Sequence, residues 1–349
     1  MHIVFVLENF ALGGVERVTE QLIIGLKSIY NCQVSLICEK KDGQLLPRYK
    51  NLGQIYSLNG RNKLFKFREL VKNIQPDLIV FTKGGLSKFS LLTPSDIKKV
   101  AIQHVPINLP EEGACKNIIR RLGAILLYKQ LDQVICVSKG ILANLIELNI
   151  INEKKAQCIY NPVLDENIIN FANEHAEYQN YYVCVGRLHF QKGYDLLVDI
   201  IKQVKLTVSN IKVVILGDGP EYEALLTLIK KHNLTDNIIL HGVTSNPYKY
   251  IKHAKGILLP SRWEGLPTVL VEAAFLKTPI VAFDCRYGPK ELTENGQSGY
   301  LIDFLDINAF AQSVISLEKN NSVISSPKID DFFLSSATAY YHKLFKSIL

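Results

Sequence analysis

Short, almost unbroken apolar runs alternate along this chain with segments of helical periodicity, and the alternation is completed twice. Runs such as Ile3–Leu7 and Gly256–Leu259 have no polar face. Strands of that kind must be covered on both sides, which calls for parallel sheets flanked by helices. In the first half, strands are expected near Ile3–Leu7, Gln33–Cys38, Asp77–Phe81, Lys99–Gln103, Gln133–Val137 and Ala156–Ile159. Helices are expected over Val15–Ser28, Leu64–Ile74, Lys116–Lys129 and Gly140–Leu148. The polar stretch Asn161–Gln179 then breaks the rhythm and reads as a linker.

The second half restarts with strands at Tyr181–Val185, Lys212–Leu216, Asn237–His241, Gly256–Leu259, Pro279–Phe283 and Gly299–Ile302. Its helices are Gly193–Thr207, Glu221–His232, Pro247–His253, Pro267–Phe275 and Asn308–Glu318. A turn-like segment, Asn320–Pro327, precedes a tail, Asp330–Ile348, that reads as an amphipathic helix returning to the first half. The chain of 349 residues is long enough for two cores. The expected α/β organisation is therefore two Rossmann-like, doubly wound parallel-sheet domains, residues 1–165 with helix 330–349, and residues 178–326. Ligands of such sheets sit beyond the carboxyl ends of the strands, so two facing halves would enclose a cleft.

With 48% hydrophobic and 21% charged residues, the composition excludes a disordered chain. No apolar run approaches the roughly 18 residues needed to span a bilayer. The first residues, MHIVFVLE, lack a basic head and read as a strand, not a secretion signal. Seven scattered cysteines with no CxxC pair point to a reduced cytosolic protein without structural zinc. The positive charge is N-terminal: residues 1–175 hold 22 Lys and Arg against 16 Asp and Glu, the remainder 18 against 17. A basic first half suits nucleic acid, an anionic membrane face or a phosphorylated acceptor as readily as plain solvent.

The stretch Ser261–Phe275, SRWEGLPTVLVEAAF, carries the most chemistry. It places Glu264 and Glu272 around the start of a helix that follows a buried strand. With Pro267 at the first helical position, the N–H groups of Gly265, Leu266 and Thr268 are left to face a ligand, and the helix dipole adds positive potential. Glu272 lies about 7 Å further along the axis at the helical rise, a suitable reach from a phosphate to ribose hydroxyls. Glu264 is placed to meet a sugar beyond the phosphates.

Upstream, VCVGRLHFQKG sets Arg187 and Lys192 on a loop between strand and helix, where two cations can clamp a diphosphate. Leu216–Pro220, LGDGP, is a glycine turn whose Gly217 and Gly219 suit a structural role or close approach to a nucleotide equally. Near the start, LGGVE offers Gly13 and Gly14 after the first strand, and Glu39 after the second strand could imitate the ribose-binding acid of a dinucleotide fold. His104 follows a strand of the first half and is expected to face the ligand edge. The remaining histidines form no HExxH or Cys/His cluster, and no Asp-x-Asp triplet occurs, so neither zinc nor a nucleotide-bound metal is expected. Lys116, Arg120, Arg121 and Lys129 form the cationic face of a segment whose Ile118, Ile119, Leu122, Ile125 and Leu126 keep helical spacing. That face suits a lipid diphosphate or an anionic bilayer, and equally a solvated helix.

With these motifs together, the chain resembles the retaining glycosyltransferases of family 4, which have the two-domain GT-B fold. The resemblance rests on GGVE at Gly13–Glu16, GRLHFQKG at Gly186–Gly193, GDGP at Gly217–Pro220, and EGLPTVLVE at Glu264–Glu272, and covers nearly the whole chain. It implies a nucleoside-diphosphate sugar held by the second domain, an acceptor held by the first, and transfer with retention and without a cofactor or an obligatory metal. Arg187 and Lys192 match the diphosphate-binding pair, Glu272 the ribose-binding glutamate, Glu264 the glutamate near the donor sugar, and His104 the first-domain histidine that contacts it. DCRYGPKEL is similar to members acting on UDP-hexoses and UDP-N-acetylhexosamines in bacterial surface-polysaccharide and lipid-linked oligosaccharide assembly. The resemblance thus implies a glycan or polyprenyl-diphosphate acceptor, a cytoplasmic enzyme in peripheral contact with the inner membrane, and no nucleic acid. A nucleotide-sugar epimerase is the enzymatic alternative and a basic nucleic-acid-binding protein the non-enzymatic one.

Overall fold

Two parallel sheets organise the chain in a computed structural model that describes residues 1–109, 112–319 and 327–349. The first unit comprises Met1–Val163 and Asp330–Leu349, the second Leu164–Ile329. The strands of unit 1 are β1 (His2–Leu7), β2 (Gln33–Cys38), β3 (Gln54–Ser57), β4 (Leu78–Phe81), β5 (Lys98–Gln103), β6 (Gln133–Cys136) and β7 (Ala156–Cys158). They lie in the order β3-β2-β1-β4-β5-β6-β7. Unit 2 contains β8 (Tyr182–Val185), β9 (Val213–Leu216), β10 (Ile238–Gly242), β11 (Gly256–Leu259), β12 (Ile280–Phe283) and β13 (Tyr300–Ile302), in the order β10-β9-β8-β11-β12-β13. Each order runs outward from a central strand and then reverses, between β1 and β4 in one sheet and between β8 and β11 in the other. The loops leaving these strand pairs diverge to opposite faces and open a crevice for ligand.

The central strands are buried on both faces because their side chains are apolar at successive positions, as in β4, LIVF, and β11, GILL. Unit 1 adds α1 (Gly14–Tyr30), α2 (Leu46–Lys50), α3 (Lys63–Ile74), α4 (Ala114–Tyr128) and α5 (Lys139–Glu147). The helices of unit 2 are α6 (Asn167–Ala172), α7 (Tyr194–Lys205), α8 (Tyr222–Lys231), α9 (Tyr248–His253), α10 (Thr268–Phe275), α11 (Pro289–Leu292) and α12 (Ile307–Lys319). Phe283 of β12 packs with Val198 and Ile201 of α7 and Phe310 and Val314 of α12 in one buried cluster. The last helix, α13 (Leu334–Ile348), packs on α1 of unit 1. The approach is close: a Cβ at Gly25 would lie 2.2 Å from Thr338 Oγ1.

Four details depart from the sequence reading. Strand β3 and helix α2 were not expected: β3 is a half-exposed edge strand whose four residues, QIYS, show no apolar run. Helix α6 lies inside the polar stretch that reads as a linker, with Ile168 and Ala172 buried beneath it. Pro267 is not the first helical residue but the N-cap of α10, in extended geometry at φ −72° and ψ 91°. The turn-like segment Asn320–Pro327 lies, but for Pro327, outside the described residues.

Candidate functional site

The reversal between β8 and β11 carries the densest cluster of chemistry. Strand β8 leads into a loop that makes one short turn, Phe190–Lys192, and ends at Gly193, whose φ of +66° favours glycine. A Cβ there would stand 2.1 Å from the Pro260 carbonyl oxygen, so the two loop backbones touch. Lys192, one residue earlier, is thereby delivered to the second loop. Its Nζ donates to Glu264 Oε1 at 2.7 Å, and Ser261 Oγ donates to the same oxygen at 2.7 Å. Glu264 is almost fully buried and its partner Lys192 mostly so, which strengthens the pair relative to a surface one. Arg187 stands on the same loop but is exposed, and among the described residues it enters no ion pair.

Further backbone contacts fix this cradle. The GDGP turn is pressed against the first loop: a Cβ at Gly217 would lie 2.0 Å from the Gly186 carbonyl oxygen, and one at Gly219 2.3 Å from that of Leu188. The Gly217 N–H donates to the Gly242 carbonyl at 2.8 Å, and the Gly219 N–H to Asp218 Oδ1 at 2.7 Å. Both glycines therefore act in packing loop on loop, and their amides are already engaged. From the other side, Glu264 N donates to the Arg286 carbonyl, and Gly288, at φ +89°, brings its backbone against the Pro267 ring. The N–H groups of Gly265, Leu266 and Thr268 donate no hydrogen bond among the described residues. Glu272 follows on α10, half-buried.

The reversal in unit 1, between β1 and β4, is assembled differently. Gly13 caps α1, and a Cβ there would meet Glu16 Oε2 at 2.4 Å, whereas one at Gly14 would meet open space. Lys83, just after β4, donates to Glu16 Oε1 at 2.8 Å and to Glu8 Oε2 at 3.1 Å. Burial would lower the Lys83 pKa, but the two carboxylates outweigh it and hold the ammonium above its usual value. His104, after β5, keeps some surface, yet its Nε2 is buried and has no partner among the described residues. Burial, then the Lys83 charge, push its pKa down to about 3, while a Thr82 backbone hydrogen bond opposes them. The imidazole is thus neutral near pH 7. Nε2 is left to hydrogen-bond a ligand.

Three residues that sequence reasoning passed over, Lys83, Ser261 and Arg262, belong to these clusters. Lys83 and Ser261 each follow a strand at an order reversal, a signal available once the strands were placed. Glu39, read as a possible ribose-binding acid, is held by Lys63 at 3.3 Å and Lys88 at 3.0 Å. Burial would raise its carboxyl, but the two lysines more than offset that and keep it below the usual range. Among the described residues no group of three His, Cys, Asp or Glu could hold a metal ion.

Helix α4 reverses an ordinary expectation. Its spaced apolar residues do not face the core: Ile118, Ile119, Leu122 and Leu126 are 57 to 69% exposed. The helix is held instead along a narrow edge. Asn117 exchanges hydrogen bonds with the Leu109 backbone, Ala124 is buried, and Tyr128 donates to Gln103 Oε1 at 2.5 Å. Lys116, Arg120 and Lys129 are exposed and Arg121 half-buried, with Arg120 paired to Glu112 at 3.3 Å. No described helix is long and apolar enough to cross a membrane.

Residues 12–166 match the family described as Glycosyltransferase Family 4, and residues 165–329 match glycosyl transferases group 1. An N-acetylgalactosaminyltransferase of Campylobacter jejuni, named for a diphospho-undecaprenol-linked acceptor, is 30% identical over 333 residues, 89% of this chain and 88% of its own. The amylovoran biosynthesis glycosyltransferase AmsD of Erwinia amylovora is 29% identical over 338 residues, 93% of this chain and 90% of its own. Among solved structures, the Anabaena protein HepE in complex with UDP and glucose superposes with a TM-score of 0.81 at 17% identity, covering 99% of this chain and 100% of that one.

Proposed function

The chain belongs to the family 4 glycosyltransferases and has the GT-B fold, and from that premise we propose that it moves a hexose or N-acetylhexosamine from a UDP-linked donor to a glycan or polyprenyl-diphosphate-linked acceptor in surface-polysaccharide assembly. The carrying observation is the buried Lys192–Glu264 pair beside three amides that donate no hydrogen bond among the described residues, at the point where the unit 2 sheet reverses. Lys192, Arg187 and the amides of Gly265, Leu266 and Thr268 take the diphosphate, whose charge rises as the glycosidic bond breaks. Glu272 accepts from the ribose hydroxyls and Glu264 from those of the donor sugar. In unit 1, His104 Nε2 hydrogen-bonds a sugar hydroxyl. The acceptor hydroxyl attacks the anomeric carbon, the bond to the diphosphate breaks on the same face, and the departing diphosphate takes the proton, giving retention. Because protein cations and amides carry the leaving-group charge, this step has no need of a metal ion.

The name of the Campylobacter jejuni relative supports the lipid-linked acceptor, and α4 supports where it is met. Four outward apolar side chains flanked by Lys116, Arg120, Arg121 and Lys129 suit shallow insertion into an anionic leaflet, with the cations at the phosphate level. The deciding experiment is a thermal-shift screen of nucleotide sugars, followed by mass spectrometry of products with lipid-diphosphate acceptors. A UDP-sugar should raise Tm and give a product one sugar larger. Consumption of the donor with no acceptor present would favour the epimerase, and steeply salt-dependent RNA or DNA binding without a nucleotide-sugar shift would favour the nucleic-acid reading. In flotation, the protein should follow vesicles containing anionic lipid, and Ile119→Asp with Leu122→Asp should abolish this.

A further inference from the structure

Arg262 lies on the phosphate-side loop of unit 2 and by residue type would be counted among the diphosphate ligands. The structure gives its guanidinium other work. Nη1 donates to Asp195 Oδ1 at 2.8 Å and to the Phe190 carbonyl at 2.8 Å, while Nη2 donates to Asp195 Oδ2 at 2.5 Å. The guanidinium carbon sits 3.9 Å from the centre of the Phe190 ring. Burial would raise the Asp195 carboxyl, but the hydrogen bond and charge of Arg262 outweigh it and hold it below its usual range. The Arg262 side chain is only 15% exposed, so a group so fully engaged is not an open phosphate ligand.

What Arg262 grips is the turn that presents Lys192. That turn is only three residues long, Phe190–Lys192, and so short a 3-10 segment does not hold its own shape. It is clasped twice more by the same loop: Arg262 N donates to the Gln191 carbonyl at 2.8 Å, and Gln191 Nε2 donates to the Trp263 carbonyl at 2.9 Å. Asp195, the other jaw, lies in the first turn of α7, directly after Gly193 and Tyr194. The fork therefore bridges the two ends of the Lys192 turn from outside.

We infer that Arg262 is a positioning residue for donor binding: through Asp195 and Phe190 its guanidinium fixes the turn that aims the Lys192 ammonium at the donor diphosphate, without touching the donor itself. This rests on the donor site proposed above. An Arg is required because the planar fork meets Asp195 with two nitrogens while its face covers Phe190, which an ammonium cannot do.

The test is calorimetric titration of the full chain with UDP, well below each variant's Tm. Arg262→Ala should weaken UDP on the order of tenfold, and Arg262→Lys should recover only part of that loss. In the Lys192→Ala background, adding Arg262→Ala should cost nothing further, because the residue acts through Lys192. Asp195→Asn, which opens the same fork from α7, should reproduce the loss and serves if Arg262→Ala does not fold. Losses that multiply in the double variant, or a UDP affinity unchanged by both Arg262→Ala and Asp195→Asn, would overturn the inference. Failure of the unaltered protein to bind UDP would instead overturn the donor assignment.

Discussion

The two sheets reverse their strand order in the same manner, yet the loops at the two reversals are built on different plans. In unit 2, backbone presses on backbone: Gly193 against Pro260, Gly217 against Gly186, Gly219 against Leu188, and Gly288 against the Pro267 ring. In unit 1 the loop after β2 also presses backbone on the β1 loop, Gly43 against Phe10, but the loops of the reversing strands β1 and β4 meet through side chains, with Lys83 bridging Glu8 and Glu16 and bearing on His104 by its charge. A cradle of touching backbones needs glycine at set positions and so leaves a motif in the sequence. A side-chain bridge needs only one cation and two carboxylates after separate strands, and these have no fixed spacing.

The comparison is put at greatest risk by Lys192→Ala. Loss of one such cation is expected to lower turnover about 100-fold while the far-ultraviolet circular dichroism is unchanged. Unaltered turnover would mean that the unit 2 cradle does not carry the reaction. Gly193→Ala tests the backbone plan itself. The strained φ and the clash at Pro260 should cost about 1–3 kcal/mol, read by urea unfolding, whereas Gly14→Ala in unit 1, facing open space, should change stability little.

His104 sharpens the side-chain plan. Its folded pKa of about 3 lies below the unfolded value of 6.5. Between those pH values the unfolded chain binds more protons, so stability should fall as pH drops from 6.5 toward 3, by up to about 1.4 kcal/mol per pH unit. His104→Gln should remove that part of the slope in Tm measured from pH 7 to pH 4.5, and an unchanged slope would show that the ring is not enclosed. The smallest effect is expected from Glu39→Gln. Its two lysine contacts are half-exposed, worth about 0–1 kcal/mol, and UDP binding should not change. A marked loss of nucleotide affinity there would restore a ribose-binding role to Glu39.

Most strands were legible because their chemistry is local. Gln33–Cys38 and Gly256–Leu259 are read from apolar continuity and recur unchanged as β2 and β11. Strand β3, at a sheet edge with little to bury, gave no such signal. In α4 the periodicity was legible but its direction was not: Asn117, Ala124 and Tyr128 fasten the helix, so Ile118, Ile119, Leu122 and Leu126 turn outward. Periodicity states which residues share a face, and only the packing of neighbours states where that face points. The two glycines of GDGP were ambiguous for a related reason. A missing side chain can admit a ligand or another loop, and in this chain it admits the loop.

The sequence by itself determined that the chain forms two parallel sheets wrapped by helices, and that cations and carboxylates follow particular strands, because hydrophobic continuity and turn chemistry act over a few neighbouring residues. The tertiary structure alone decided which of those groups meet. It put Lys192 and Ser261 on one oxygen of Glu264, joined Arg262 to Asp195 and set Lys83 between Glu8 and Glu16. Such pairings span up to 75 residues, and the order in which strands enter a sheet, which fixes what lies beside what, is written in no local stretch of sequence.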